Sequence, residues 1–290
     1  MASSYKTPGV YIEEVSKFPP SVARVETAIP AFIGYTEKAE KDNDKMALLK
    51  VPSRINSMEE FRSKFGGAPK PSKLEVTGKM ESNVYNPIRA DIEIEYKLYY
   101  SLELFFGNGG GTCYIVSVGD YEDNISDTDL GSGLKVLEQY DEPTIIVIPD
   151  AVELDNSSKH GSLMADCLSQ CNKLQDRFTI MDVYNGYESA VNGNSAKDIV
   201  GIFRNNLSSN YLKYGAAYYP FLKTFVLFNY THEEIIFKDD TGSTISDLKQ
   251  LDNSATGSDF GTVIDELTEA RNLRDAIQSV LDIETFKTDY

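Results

Sequence analysis

Two aspartates hold the best-placed chemistry in this sequence. PTIIVIPD (143–150) and DRFTIMDV (176–183) are apolar, strand-like runs, with Asp150 and Asp182 at their C-terminal ends. Continuous apolar runs of this kind suit strands buried on both faces of a parallel sheet. In open α/β sheets, ligands gather at the carboxyl ends of the strands. Two carboxylates there could hold a divalent cation against substrate phosphates. Asp is also common in turns and caps that follow strands, and no Lys, His, Ser or Cys joins the pair in a recognisable motif. One reading of the chain is thus a cytoplasmic α/β enzyme using Asp150 and Asp182 with a divalent metal.

Other candidate chemistry is thinner. GNGGGT (107–112) invites a phosphate-loop reading, but it has no Gly-Lys-Ser/Thr ending, and Thr112 stands where a dinucleotide fingerprint needs glycine. Phosphate loops run from strand to helix, whereas this one is expected to run from helix to strand. It then serves as a tight turn in which glycine allows positive φ. Cys113, Cys167 and Cys171 are an odd number of thiols, and the only histidines are His160 and His232. This set offers neither a disulfide framework nor good zinc ligands; the thiols read as small apolar side chains. Arg177, just before a strand, and Arg204, on a helix, could anchor ion pairs between layers or subunits, or be solvated surface charges. Tyr99-Tyr100, Phe105-Phe106 and Tyr218-Tyr219 sit in apolar context and suit a core or a subunit interface better than base stacking. Beyond the Asp150–Asp182 alternative, no cofactor or metal site is expected, and no nucleophile–base pair is legible.

Composition narrows the classes. With 290 residues, 41% of them hydrophobic, the chain can build one large or two moderate domains. Forty-five acidic residues against 28 basic ones give a net charge of −17. That balance argues against nucleic acid as a partner, because phosphate neutralisation needs clustered Lys and Arg. No apolar run reaches the length of a membrane span, so direct membrane insertion is not expected. The N-terminus has no apolar core of a signal peptide, which implies synthesis in a reducing cytoplasm.

The elements that would position these residues follow from pattern. AFIGY after Pro30 reads as a strand, 37–50 as an exposed loop, and 52–67 as a short helix. Ser57 would cap that helix in a capping box with Glu60, and Gly66-Gly67 would end it. Residues 68–86 read as a long loop or small insertion, 91–106 as a helix, and 112–118 as a strand. Helices are expected at 131–140, 159–175 and 195–209, the last capped by Ser195. YGAAYYPFL (214–222) and the strand-like TFVLF (224–228) follow, then a hairpin over 233–248 turning near Asp240-Thr241-Gly242, and a helix over 262–283. Alternating strands and helices predict a layered α/β fold with a mostly parallel central sheet and a small inserted or peripheral region. The expected divisions are an extended arm (1–22), a strand/helix segment with a loop-rich insertion (23–90), an α/β core (91–230) and a hairpin with helical connector (231–290).

The first residues, MASSYKTPGVYIEEV, form the arm. Pro8 fixes its own φ and extends Thr7, Gly9 allows a bend, and Val10, Tyr11 and Ile12 are strong strand formers. Glu13 and Glu14 follow, and Pro19-Pro20 closes the segment. Extended, residues 2–15 span roughly 45 Å, against a radius of gyration of about 19 Å for a globule of this length. The arm can form an edge strand of its own domain or add a strand to a neighbour's sheet. In the second case Val10 and Ile12 face one side of the acceptor sheet and Tyr11 the other.

TPGVYIEEV resembles the opening of contractile tail sheath proteins, the subunits of phage tails and related bacterial injection machines. SLELFFGNGGGTCYIVSV (101–118), DEPTIIVIPDAV (141–152), LMADCLSQCNKLQDRFTIMDV (163–183) and LKYGAAYYPFLKT (212–224) resemble further segments of that family in the same order. The resemblance implies a layered α/β sheath domain without enzymatic activity. It implies a structural subunit that polymerises helically around an inner tube and contracts to drive that tube through a membrane. The implied partners are neighbouring sheath subunits, the inner tube protein, and baseplate and terminator proteins; the implied location is a phage tail or tail-like particle. Pro8, Gly9, Val10, Tyr11, Ile12, Glu13 and Glu14 would be the inter-subunit linking strand. The family also continues into a C-terminal domain that nothing after Leu222 resembles; 262–283 resembles the connector leading to it.

Overall fold

The computed structural model describes residues 28–245, except 43, 82–83, 190, 192–197, 225, 229 and 231–233. The linking residues Pro8–Glu14 and the 262–283 segment lie outside the described residues.

The core is a six-stranded sheet built around PAFIG. This strand, β1 (Pro30–Gly34), is buried at all five positions. The other strands are β2 (Ser53–Ile55), β5 (Cys113–Ser117), β6 (Ile145–Val147), β7 (Phe178–Asp182) and β8 (Gly215–Tyr218), in the spatial order β2-β5-β1-β6-β7-β8. All neighbours run parallel except β2, which lies antiparallel on the outside of β5. Alternation along β1 sets the layers. Ala31 and Ile33 point into one core with α3 (Asp127–Leu137), α4 (Ser157–Leu174) and α5 (Ile199–Asn206); Phe32 points into the other with α1 (Met58–Phe65) and α2 (Leu98–Gly107). The fold is α/β, with helices on both faces of a mostly parallel sheet, as the strand–helix alternation predicts.

The helix ends follow side-chain chemistry. Ser57 caps α1 by accepting from the Glu60 N–H at 3.1 Å. The Glu60 carboxylate reaches back to the Asn56 N–H at 2.9 Å, one residue before the usual capping-box partner. Ser126 caps α3, which begins four residues earlier than the sequence pattern suggests. Asn156 caps α4 through two backbone N–H groups. Asp198 caps α5 through the Gly201 N–H; Ser195, the expected cap, lies outside the described residues.

The stretch expected as a long loop or small insertion forms a second, smaller sheet. β3 (Lys73–Glu81) and β4 (Val84–Glu93) pair antiparallel, with a register shift at Thr77/Gly78, and β9 (Ile236–Lys238) adds parallel to β3. Val76 and Phe237 form its small core. The helix expected from residue 91 begins at Leu98 because residues 91–93 belong to β4. The hairpin expected over 233–248 survives as a turn: Asp239 accepts from Thr241 and Ser243, and Lys238 bridges Thr244. The described residues of 224–228 form no strand.

Candidate functional site

Asp150 lies three residues beyond the end of β6, in a single turn of 3-10 helix, Pro149–Glu153. Its side chain is turned inward, and the residue is completely buried. One carboxylate oxygen accepts from the Tyr35 N–H at 2.7 Å, where the chain leaves β1. The other accepts from the Lys97 and Leu98 N–H groups at 2.6 and 3.0 Å. These are the first turn of α2, which has no side-chain cap of its own. Asp150 therefore caps α2 from 52 residues away and places negative charge where the helix dipole favours it. Gly34 makes room: a Cβ there would collide with the carboxylate.

Lys97 completes the cluster. Its side chain is nearly buried, donates to the Ile94 carbonyl at 2.7 Å, and pairs with Glu153 at 3.2 Å. Burial pushes the Asp150 carboxyl up to about 6, against the three backbone N–H donors and Lys97, which pull it down. Tyr35, beside it, donates its hydroxyl to the Asn124 carbonyl and accepts from the Ser126 N–H. Burial pushes that phenol up to about 12. Carboxylate, lysine and tyrosine thus hold the end of β1, the start of α2 and the start of α3 in register.

Asp182 sits differently. It is the last residue of β7, half-buried, and pairs across the ladder with Tyr218. Burial raises its pKa. Among the described residues no hydrogen bond fixes its carboxylate. β6 and β7 are neighbours, so both aspartates lie at the carboxyl end of the same sheet, as the sequence predicts. Both oxygens of Asp150 are already engaged by backbone donors. Among the described residues no three His, Cys, Asp or Glu side chains group as a metal site.

No protein-family model matches the chain, and no curated protein sequence matches it either.

The remaining candidates resolve into architecture. GNGGGT joins the end of α2 to β5, helix to strand, with φ +85° at Gly109. At Gly110 a Cβ would lie 2.6 Å from the Phe105 carbonyl oxygen. All three cysteines are buried and free; burial pushes the Cys113 thiol up to about 12 and Cys171 up to about 11. Arg177 is fully buried and donates to the carbonyls of Leu137 and Tyr140 and to Asp176, tying the end of α3 to the start of β7. Arg204 is exposed on α5. Tyr99 and Tyr100 belong to the core, whereas Tyr218 is 59% exposed.

Pattern reading missed two buried titratable groups. Lys97 is a lone cation in the apolar stretch EYKLYY, and that context was its only signal. His160 on α4 is 1% exposed, wedged between the rings of Tyr184 and Phe203 at 5.7 and 5.9 Å. Neither ring nitrogen has a partner among the described residues, and burial drives its pKa down to about 4. Finally, no described helix is long and apolar enough to cross a membrane.

Proposed function

We propose that the chain is a non-enzymatic structural subunit of a contractile sheath. It polymerises helically around an inner tube, in a phage tail or tail-like particle, and contracts to drive the tube through a membrane. The observation that carries this reading is the ordered set of five sheath-like segments between Thr7 and Thr224. The four of these within the described residues fold as successive parts of one sheet: the end of α2 with β5, β6 with its 3-10 turn, α4 with β7, and β8. The commitment of Asp150 to backbone donors also favours architecture over catalysis.

The mechanism is mechanical. Identical subunits repeat through heterologous contacts whose rotation does not close, producing a helical array. The Pro8–Glu14 strand adds to a neighbour's sheet, so subunits stay tethered while their bodies rearrange. An array assembled in a higher-energy extended state releases that energy on triggering, as other strained assemblies do. Neighbouring copies, the inner tube, and baseplate and terminator proteins are the partners.

Removing residues 1–20 tests this. The intact chain should assemble into large particles by sedimentation, and the shortened chain should stay monomeric with unchanged circular dichroism. Equal assembly of the two, or a monomeric intact chain at every concentration, would contradict the reading.

A further inference from the structure

The main sheet ends in β8, and this edge is chemically unlike the rest of the molecule. From Ile199 to His232 there is no Asp or Glu, although 45 acidic residues in 290 would place about five in those 34 positions. The same segment carries Arg204, Lys213 and Lys223. Within it, Tyr211 and Leu212 precede the strand, Tyr218 ends it and Leu222 follows it, all exposed, Leu222 at 76%. Exposed apolar groups collected around one strand, rather than scattered singly, mark an interaction surface.

Among the described residues, the backbone of β8 is paired on one side alone. The Tyr218 carbonyl accepts from the Val183 N–H, so Ala216 and Tyr218 turn their hydrogen-bonding groups towards β7. Ala217, exposed, turns its N–H and C=O outward. Among the described residues no strand pairs with that side. A bare edge of this kind is a template for another strand.

We propose that the β8 edge and its flanks (residues 211–223) are the docking surface for a second copy of this chain, which adds an extended acidic segment to β8. The inference rests on the self-assembly reading and assigns its acceptor. Charge selects the occupant. A chain at −17 meets like charge almost wherever two copies touch, and a segment that brings no acid of its own and carries Lys213 and Lys223 lowers that cost. The donor segment and the acceptor edge are different surfaces, so the contact is head-to-tail and repeats instead of closing.

The test uses the full chain. Ala217→Pro deletes the outward N–H, and proline is tolerated on edge strands. Lys213→Glu with Lys223→Glu reverses the charge without touching the backbone, and Ala217→Val is the control that keeps the N–H. Concentration-dependent sedimentation is read with thermal unfolding. Isotope-mixed cross-linking reports whether Lys213 and Lys223 join the same copy or another. The expected result is at least tenfold weaker association for the proline and double-glutamate variants, unchanged unfolding, an unaffected valine variant, and cross-links between copies. If the proline variant unfolds early, the double-glutamate variant decides. Association equal to the parent chain in that variant, or cross-links confined to one copy, overturns the β8 assignment while leaving self-assembly standing. A parent chain that is monomeric at every concentration overturns both.

Discussion

At the centre of the main sheet, β1 runs out into Gly34 and Tyr35, and the polar groups there are taken by partners inside the chain. Asp150 alone accepts from three backbone N–H groups on two elements. Three strands away in the order of the sheet, β8 shows no such closure among the described residues: Ala217 points its peptide outward and Tyr218 lies 59% exposed. One sheet therefore carries a finished interior and an unfinished edge. Buried polar groups must be satisfied or they cost free energy, so the interior spends its carboxylate on architecture. Unused backbone hydrogen-bonding capacity costs least where water or another protein can supply it, and the edge is that place. Asp150, one of the two aspartates that looked catalytic in sequence, sits in the first region, while Asp182 ends β7 beside Tyr218; capacity for association sits in the second.

The sharpest way to break this contrast is to strip the interior. Asp150→Ala leaves three buried N–H donors unpaired and should cost about 4 kcal/mol, since each orphaned group costs about 1–3 kcal/mol. Urea unfolding measures it, and a loss under about 1 kcal/mol would mean that the cradle does not hold β1 to α2. Gly34→Ala attacks the same cradle from the other side by forcing a methyl into the carboxylate, for a cost of about 1–3 kcal/mol.

A pH series sharpens the interior further, because two buried groups oppose each other. The folded pKa of Asp150 is raised, from 3.8 to about 6, so its stabilising contribution is complete below 3.8 and lost as pH rises through 6. That of His160 is depressed, from 6.5 to about 4, so its contribution is complete above 6.5 and lost as pH falls through 4. Each amounts to about 3 kcal/mol at roughly 1.4 kcal/mol per pKa unit. Asp150→Asn should leave stability rising between pH 4 and 6.5, and His160→Leu should leave it falling. Parallel pH profiles in the two variants would refute the assignment. The smallest effects belong to the surface. Ser57→Ala removes the α1 cap for about 1 kcal/mol, and Ala217→Pro should move stability by less than about 0.5 kcal/mol while weakening association.

Much of the interior was legible in sequence, and the reason is periodicity. PAFIG and CYIVS are short apolar runs buried at every position, as in a doubly covered sheet; FTIMD, expected to be buried on both faces, alternates instead, with Thr179 and Met181 buried and Phe178 exposed because β7 lies next to the edge strand. Leu163, Cys167 and Cys171 mark the inner face of α4 at helical spacing. β3 and β4 were not legible. KLEVTGKME and VYNPIRADIE are largely polar, and Gly78 and Pro87 read as loop punctuation. Ile92, Ile94 and Tyr96 do alternate at strand spacing, a signal that separates the end of β4 from the helix beginning at Leu98. The role of Asp150 was hidden because its partners, Tyr35 and Lys97, are 115 and 53 residues away in the chain. Position after a strand marks the carboxylate as candidate chemistry; only the three-dimensional path of β1 and α2 shows that its lone pairs are taken.

The central claim is that this chain builds sheaths, and particles from the cells that make it test that claim most directly. High-molecular-weight material is pelleted from lysate, imaged by electron microscopy, and its proteins are identified by mass spectrometry. The account predicts tubes whose wall contains this sequence. Recovery of the protein only as a soluble monomer, with no tubes in the pellet, would contradict it.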